Sequence, residues 1–469
     1  MLFNSLIFIE FLCLFFVGWP AAKRHETIRY LYLITFSFLF YAWATPWWLL
    51  LLIADGLIDY VAALGMVRFP TRKRVFLGLS LAGNLGLLFT FKYAHFLATN
   101  VNVALAELGI GFRFDVTPLP LPIGISFYTF QSLSYTIGAY RGQLTPTTNI
   151  LQFFAYISLW PQLVAGPIER AARLLPQLKT VMPVSADEAW NALALILRGY
   201  FKKMVIADNL APAVNAAFSA PAVAHSLPLW WLVGTMFALQ IYCDFSGYTD
   251  IARGLAKWLG YDLMLNFDHP YGAIGIREFW RRWHISLSGW FRDYVYIPLG
   301  GSQRGELRGH VNMWITMLMS GLWHGANWTF IAWAALHALY LTIERITRWP
   351  DRLVGRGGGR SMCATLTFAL VTIAWVFFRA ASIGQAVSIV GAMLDPRALH
   401  LVLPIGFAAS ALFFLAVGLG MVVNEFYGTS RRVASWQMAP WLEPATLAVI
   451  ATVCVFWRGP SASFIYFQF

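Results

Sequence analysis

Long apolar runs separated by short polar links dominate the chain, with runs near 3–20, 28–53, 75–93, 121–140, 150–166, 189–218, 228–246, 311–322, 325–345, 362–380, 402–424 and 440–457. A helix needs roughly 20 mostly apolar residues to cross the hydrocarbon core of a bilayer. The pattern therefore predicts an all-α polytopic membrane protein with about 11 transmembrane helices, the remaining runs being short, tilted or re-entrant. No internal repeat, low-complexity tract or separately folding soluble stretch interrupts it, so residues 1–469 are expected to form one integral membrane domain.

One stretch breaks the pattern. Residues 262–310 hold Arg277, Glu278, Arg281, Arg282, His284, Arg292 and Asp293 among many aromatics. That charge cannot face lipid, because polar backbone and ionised groups at membrane depth need internal partners. The stretch is predicted to be a re-entrant or interfacial element. Within it REFWRRWHISL, read as one helix, would set Arg277, Arg281 and His284 on related faces at i, i+4 and i+7.

Composition narrows the class further. The chain is 59% hydrophobic and only 12% charged, where a soluble protein carries about 25% charged residues; its mean hydropathy is +0.61. A soluble enzyme and a disordered chain are excluded. The net charge of +12 reads as loop anchors on the cytoplasmic side, not as a nucleic-acid footprint. The basic groups gather at Arg68 with Arg72, Lys73 and Arg74, at Arg345 with Arg348, Arg352, Arg356 and Arg360, and at Arg431 with Arg432. Placing them in the cytoplasm puts both termini on the outer face, with a C-terminal tail at 458–469. The N-terminal run precedes its positive residues and lacks a small-residue cleavage site, so it reads as a first span. The four cysteines are scattered and read as small buried hydrophobes.

Ionisable residues inside apolar runs are the candidates for chemistry. His324 sits in MLMSGLWHGANWTFIAW between Gly321 and Gly325. Small neighbours permit close approach, and a neutral imidazole in a dry site can take a proton from an attacking hydroxyl; a satisfied core histidine is the plainer alternative. His284, Arg281 and Arg282 form either an interfacial anchor or a basic, aromatic mouth for an anionic donor. His310 and His337 are weaker candidates. Asp244 and Asp250 flank a Ser-Gly pair that would unwind a helix, with Arg253 as a partner, a structural arrangement more than a catalytic one. Glu169 and Arg170 mark a turn at a membrane edge before an amphipathic segment suited to docking on the surface or a partner. No GxSxG, Walker A, HExxH or cysteine-histidine zinc pattern occurs, and no metal site is expected.

Two blocks, REFWRRWHISLSGWFRDYVYIPLGG at 277–301 and GLWHGANWTFIAW at 321–333, resemble the membrane-bound O-acyltransferase family in its bacterial branch associated with alginate O-acetylation. The resemblance continues through PIGISFYTFQSLSYTIGAYRG at 122–142, QLVAGPIER at 162–170, GYFKKMVIADNLA at 199–211, YCDFSGYTDIARG at 242–254, WVFFRA at 375–380 and FIYFQF at 464–469. It implies a ring of tilted helices around a thin central region that forms a catalytic tunnel. It also implies acyl transfer from a cytoplasmic thioester, with acetyl-CoA or another acyl thioester as donor substrate and no bound cofactor. The family's active-site histidine falls on His324 and its second histidine on His284; Arg281 and Arg282 would receive the donor. By similarity to the D-alanylation relatives, Tyr466 is an acyl relay candidate, against the simpler reading of an interfacial aromatic belt.

The function so implied is O-acetylation of an extracytoplasmic polysaccharide (alginate-like, cellulose or peptidoglycan) from the bacterial inner membrane. The implied partners are membrane lipid, a periplasmic esterase-like (SGNH) acetyltransferase and the polysaccharide acceptor. Two alternatives stay open: D-alanyl or lipid acyl transfer by the same fold, and a transporter or flippase for polymer export.

Overall fold

The computed structural model describes all residues except 2, 44, 221–222, 402, 404–406, 408, 431–441, 461–463 and 466–469. The protein is helical throughout, with no strand among the described residues. Among the described residues three helices are long and apolar enough to cross a membrane, Trp48–Arg68, Pro70–Glu107 and Gly359–Arg379, and shorter apolar helices include Leu6–Ala22, Ile383–Leu394 and Leu442–Phe456.

Several boundaries differ from the apolar pattern, each for a local reason. The run at 28–53 is two helices, Glu26–Ala42 and Trp48–Arg68, because Pro46 lies between them and cannot continue a helix. The run at 150–166 is helical only over Ile150–Ser158; beyond it Pro161 and Pro167 remove backbone donors. The run at 228–246 extends to a 32-residue helix, Leu227–Trp258. Ser246 and Gly247 do not unwind this helix. Gly247 instead serves a close crossing, since a Cβ there would lie 2.6 Å from the Gly199 carbonyl oxygen.

The chain forms two compact units, residues 1–196 with 249–264 and residues 197–248 with 265–469. In the first unit Asp55 and Asp59, one turn apart on Trp48–Arg68, are buried among hydroxyls. Asp55 accepts from Thr129 (3.2 Å) and Ser132 (2.8 Å), and Asp59 accepts from Asn84 (2.9 Å), Thr136 (2.6 Å) and Ser80. Three helices are thereby joined by polar bonds, which at membrane depth replace the water that the carboxylates would otherwise require. The amphipathic segment Ala171–Lys179 docks on its own unit: Leu174 and Leu178 are buried, and the carbonyls of Leu178 and Lys179 accept from the Arg29 guanidinium at 3.1 and 2.6 Å.

The second unit holds both candidate histidines. Its centre is a hairpin of Glu306–His324 and Trp328–Thr347, with Gly359–Arg379 against the latter helix. Asn327 caps the returning helix by accepting from the Thr329 N–H (3.0 Å), so the turn after His324 is short. Gly321 makes the close approach possible: a Cβ there would lie 2.6 Å from the Phe330 carbonyl oxygen. Trp283, Trp333 and Trp375, all buried, fill the interior, with ring centroids 5.0 Å apart for Trp283 and Trp375 and 5.8 Å for Trp333 and Trp375.

Candidate active site

The stretch REFWRRWHISL is not one helix. Ile276–Arg282 and Ile285–Phe291 are two short helices with His284 at the joint, in the left-handed region (φ 44°, ψ 55°). The continuous face expected for Arg277, Arg281 and His284 is broken there. A non-glycine residue in this conformation costs about 1–2 kcal/mol and must be held by its surroundings.

Asn266 holds it. Its backbone carbonyl accepts from the Ile285 N–H (2.9 Å), and its side-chain Oδ1 accepts from the Ser286 N–H (3.3 Å), the Ser286 hydroxyl (2.9 Å) and His284 Nδ1 (3.1 Å). Because an amide oxygen only accepts, the network assigns the proton of a neutral His284 ring to Nδ1 and leaves Nε2 as its acceptor. The ring is fully buried and packs edge-on against Phe245 (4.8 Å).

His324 is the last residue of its helix and 5% exposed. Trp323, Trp333 and Phe378 surround the ring at 5.0, 5.0 and 5.3 Å, all steeply inclined to it. The C-terminal end of a helix carries partial negative charge, which favours the imidazolium that forms when the ring accepts a proton. Trp323 also touches His284, at 5.9 Å. The two histidines therefore share one indole wall.

The arginines are placed differently. Arg281 is exposed. Arg282 is tied to Glu278 at 2.5 Å and donates to the His269 carbonyl at 3.4 Å, so its guanidinium already braces the loop beside the site. On the same loop, contact with Glu425 (3.3 Å) holds the His269 ring above its ordinary pKa, and Tyr242 donates to the same carboxylate at 3.1 Å.

Two residues of the surroundings, and the docking of a third segment, were not legible in the sequence. Asn266 belongs to no motif and acts through a loop pairing. Lys203, in an apolar run, bonds Asp208 (2.8 Å) and Asp244 (2.7 Å) at once, so Asp244 pairs with Lys203 and not with Arg253. The far carboxylate oxygen of Asp244 accepts the Ile465 N–H at 2.7 Å. The third feature is the docked tail. Phe464 packs on Phe245 (5.5 Å) and Tyr248 (5.1 Å), which brings Phe464 and Ile465 to the wall behind His284. Tyr466 itself lies outside the described residues, as do Arg431 and Arg432.

A buried basic nitrogen at a helix end, a second histidine held by an amide and a dry aromatic lining suit proton transfer during attack on an activated carbonyl. Residues 91–381 match the membrane-bound O-acyltransferase family, and the chain belongs to it: it is a membrane-bound acyltransferase. Among its relatives, the probable alginate O-acetylase AlgI of Pseudomonas putida is 37% identical over 407 residues, covering 84% of this chain and 80% of that protein. The peptidoglycan O-acetyltransferase of Helicobacter pylori is 34% identical over 426 residues, with 84% and 80% covered. A teichoic acid D-alanyltransferase of Streptococcus thermophilus is 29% identical over 238 residues, covering 47% of this chain and 56% of that one.

Proposed function

We propose that the protein takes an acetyl group from a cytoplasmic thioester, acetyl-CoA, and passes it through the bacterial inner membrane for O-acetylation of an extracytoplasmic polysaccharide. The buried His324, sharing an indole wall with His284, carries this reading. A thioester is already activated, so catalysis requires proximity and a base for the attacking hydroxyl. His324 takes the hydroxyl proton as that oxygen bonds to the thioester carbonyl carbon. The tetrahedral species collapses with cleavage of the C–S bond, and His324 returns the proton to the departing thiolate. His284, with its acceptor nitrogen fixed by Asn266, orients the donor or the acceptor, and the exposed Arg281 meets the donor's phosphates.

The proposal extends to the relay. The Tyr466 phenol would be the first attacking hydroxyl and would present its acetyl ester to an esterase-like transferase in the periplasm. Docking of Phe464 and Ile465 against the wall behind His284 supports this part.

The test is transfer of labelled acetyl from acetyl-CoA in inverted inner-membrane vesicles, using wild type, His324→Ala and Tyr466→Phe. Label on the wild type, at least 100-fold less with His324→Ala and none retained on Tyr466→Phe, is the expected outcome. No label on folded wild type with its partners present would remove acetyl-CoA as donor, and uptake from a carrier-linked D-alanyl thioester would then select the alternative.

A further inference from the structure

His269 repeats the strain seen at His284. It too is a non-glycine residue in the left-handed region (φ 48°, ψ 57°), a conformation that such a residue keeps only where its surroundings enforce it. The two turns are joined. The Asp268 N–H donates to the Arg282 carbonyl and the Ile285 N–H to the Asn266 carbonyl, both at 2.9 Å. Residues 266–268 therefore run beside 282–285, and Asn266 can hold His284 only while its own segment stays in place. The reaction as drawn gives His269 no task.

What fixes the His269 turn comes from outside it. Nδ1 of the ring lies 3.3 Å from the Glu425 carboxylate on helix Ala411–Ser430, and the same carboxylate accepts from the Tyr242 hydroxyl on Leu227–Trp258 at 3.1 Å. The Tyr242 ring packs on Phe267 (5.9 Å), Tyr271 (5.4 Å) and Trp283 (6.3 Å), residues that flank both strained histidines. The Glu425 side chain is 13% exposed, so its charge gains from a cation beside it; that of His269 is 41% exposed and exchanges protons with water.

The charges facing the ring are few. Contact with Glu425 is the main reason the ring titrates above its ordinary value of about 6.5; burial opposes the shift, Asp268 adds to it and Lys202, on the adjoining Phe201–Ala207, works against it. Arg282 is occupied by Glu278 and by the His269 carbonyl, Tyr242 donates as a neutral phenol, and Gly359–Arg379 meets the turn through the uncharged Phe368, 5.1 Å from Tyr271. The ion pair is therefore fully formed below the ordinary value and is lost as the pH rises through the raised one.

We infer that Glu425 and His269 are positioning residues, an ion pair that fastens the left-handed turn at His269 and, through the backbone bonds between 266–268 and 282–285, keeps Asn266 and His284 in place for acyl transfer. The inference rests on the acetyl-transfer reading above for its activity assay. Full-length protein in detergent would be given labelled acetyl-CoA, and separately melted, across about pH 6 to 9. The forms compared are wild type, Glu425→Gln, His269→Asn, whose new side chain tolerates the left-handed region, and the double variant.

The wild-type rate of label uptake should fall as the pH rises through the His269 titration. Each single variant should be slower by about fivefold at the acid end and lack that fall, because either one removes the pair. The double variant should be no slower than the single ones, since all three lose the same contact. A wild-type rate without the fall overturns the inference whatever the variants do, and so does a fall kept unchanged in both single variants. Lowered melting in both with the rate of the folded protein intact also overturns it, by marking a purely structural pair. If one variant fails to fold, the other decides by the same criteria. Wild type that takes up no acetyl removes the donor reading, and the melting curves then decide: a melting temperature that drops over this pH range in wild type and stays level in Glu425→Gln supports the pair, whereas parallel curves overturn it.

Discussion

His284 is held in a backbone conformation it would not choose, and a single side chain answers for it. Asn266 Oδ1 receives the imidazole Nδ1 and both polar groups of Ser286, so one amide sets the rotamer, the tautomer and the turn. Asn266→Ala should cost about 1–3 kcal/mol through the unpaired groups it leaves. It should lower kcat more than tenfold while the protein still folds, because the histidine would no longer be fixed. Acyl-transfer kinetics beside a melting curve separate the two effects; an unaltered kcat would remove Asn266 as a positioning residue. His324 differs in depending on shape. Gly321 and Gly325 admit the Phe330 backbone and ring so closely that no side chain fits at either position.

At the scale of elements, Lys203 joins two helices and, through Asp244, the segment at Ile465. Its ammonium meets Asp208 and Asp244, Asp244 accepts the Ile465 N–H, and the Gly459 N–H bonds the Met204 carbonyl at 2.8 Å. Lys203→Met would leave two carboxylates buried without their cation, a change worth about 3–5 kcal/mol. Its expected signature is loss of folded protein, or at partial stability a tail cleaved by protease ahead of the remainder. Limited proteolysis with C-terminal mass analysis checks this, and equal resistance of tail and core in the variant would refute the latch. The broken helix at His284 belongs to this scale too. One helix would have spread Arg277, Arg281 and His284 along a surface, whereas the break buries His284 and leaves Arg281 outside.

For the whole molecule, Leu6, Val17, Leu50, Val61, Leu307 and Val455 are among the many large apolar side chains left more than half exposed. Water cannot be their solvent. The protein should therefore stay in the membrane pellet through an alkaline carbonate wash and leave it only with detergent; release by carbonate would contradict the assignment. Helical class, membrane environment and family were all legible in the chain, because apolar run length and the blocks around 277–301 and 321–333 are local properties of sequence. The burial of His324 was legible for the same reason, as an ionisable residue in an apolar run between glycines. The pairing of Asp244 with Lys203 and the hold of Asn266 on His284 were not. Each depends on residues distant in the chain meeting in space, and hydrophobic period carries no information about which buried polar atoms find partners. Tertiary structure alone decided those partnerships, since within a dry interior a polar group is bonded or orphaned according to which helix packs beside it.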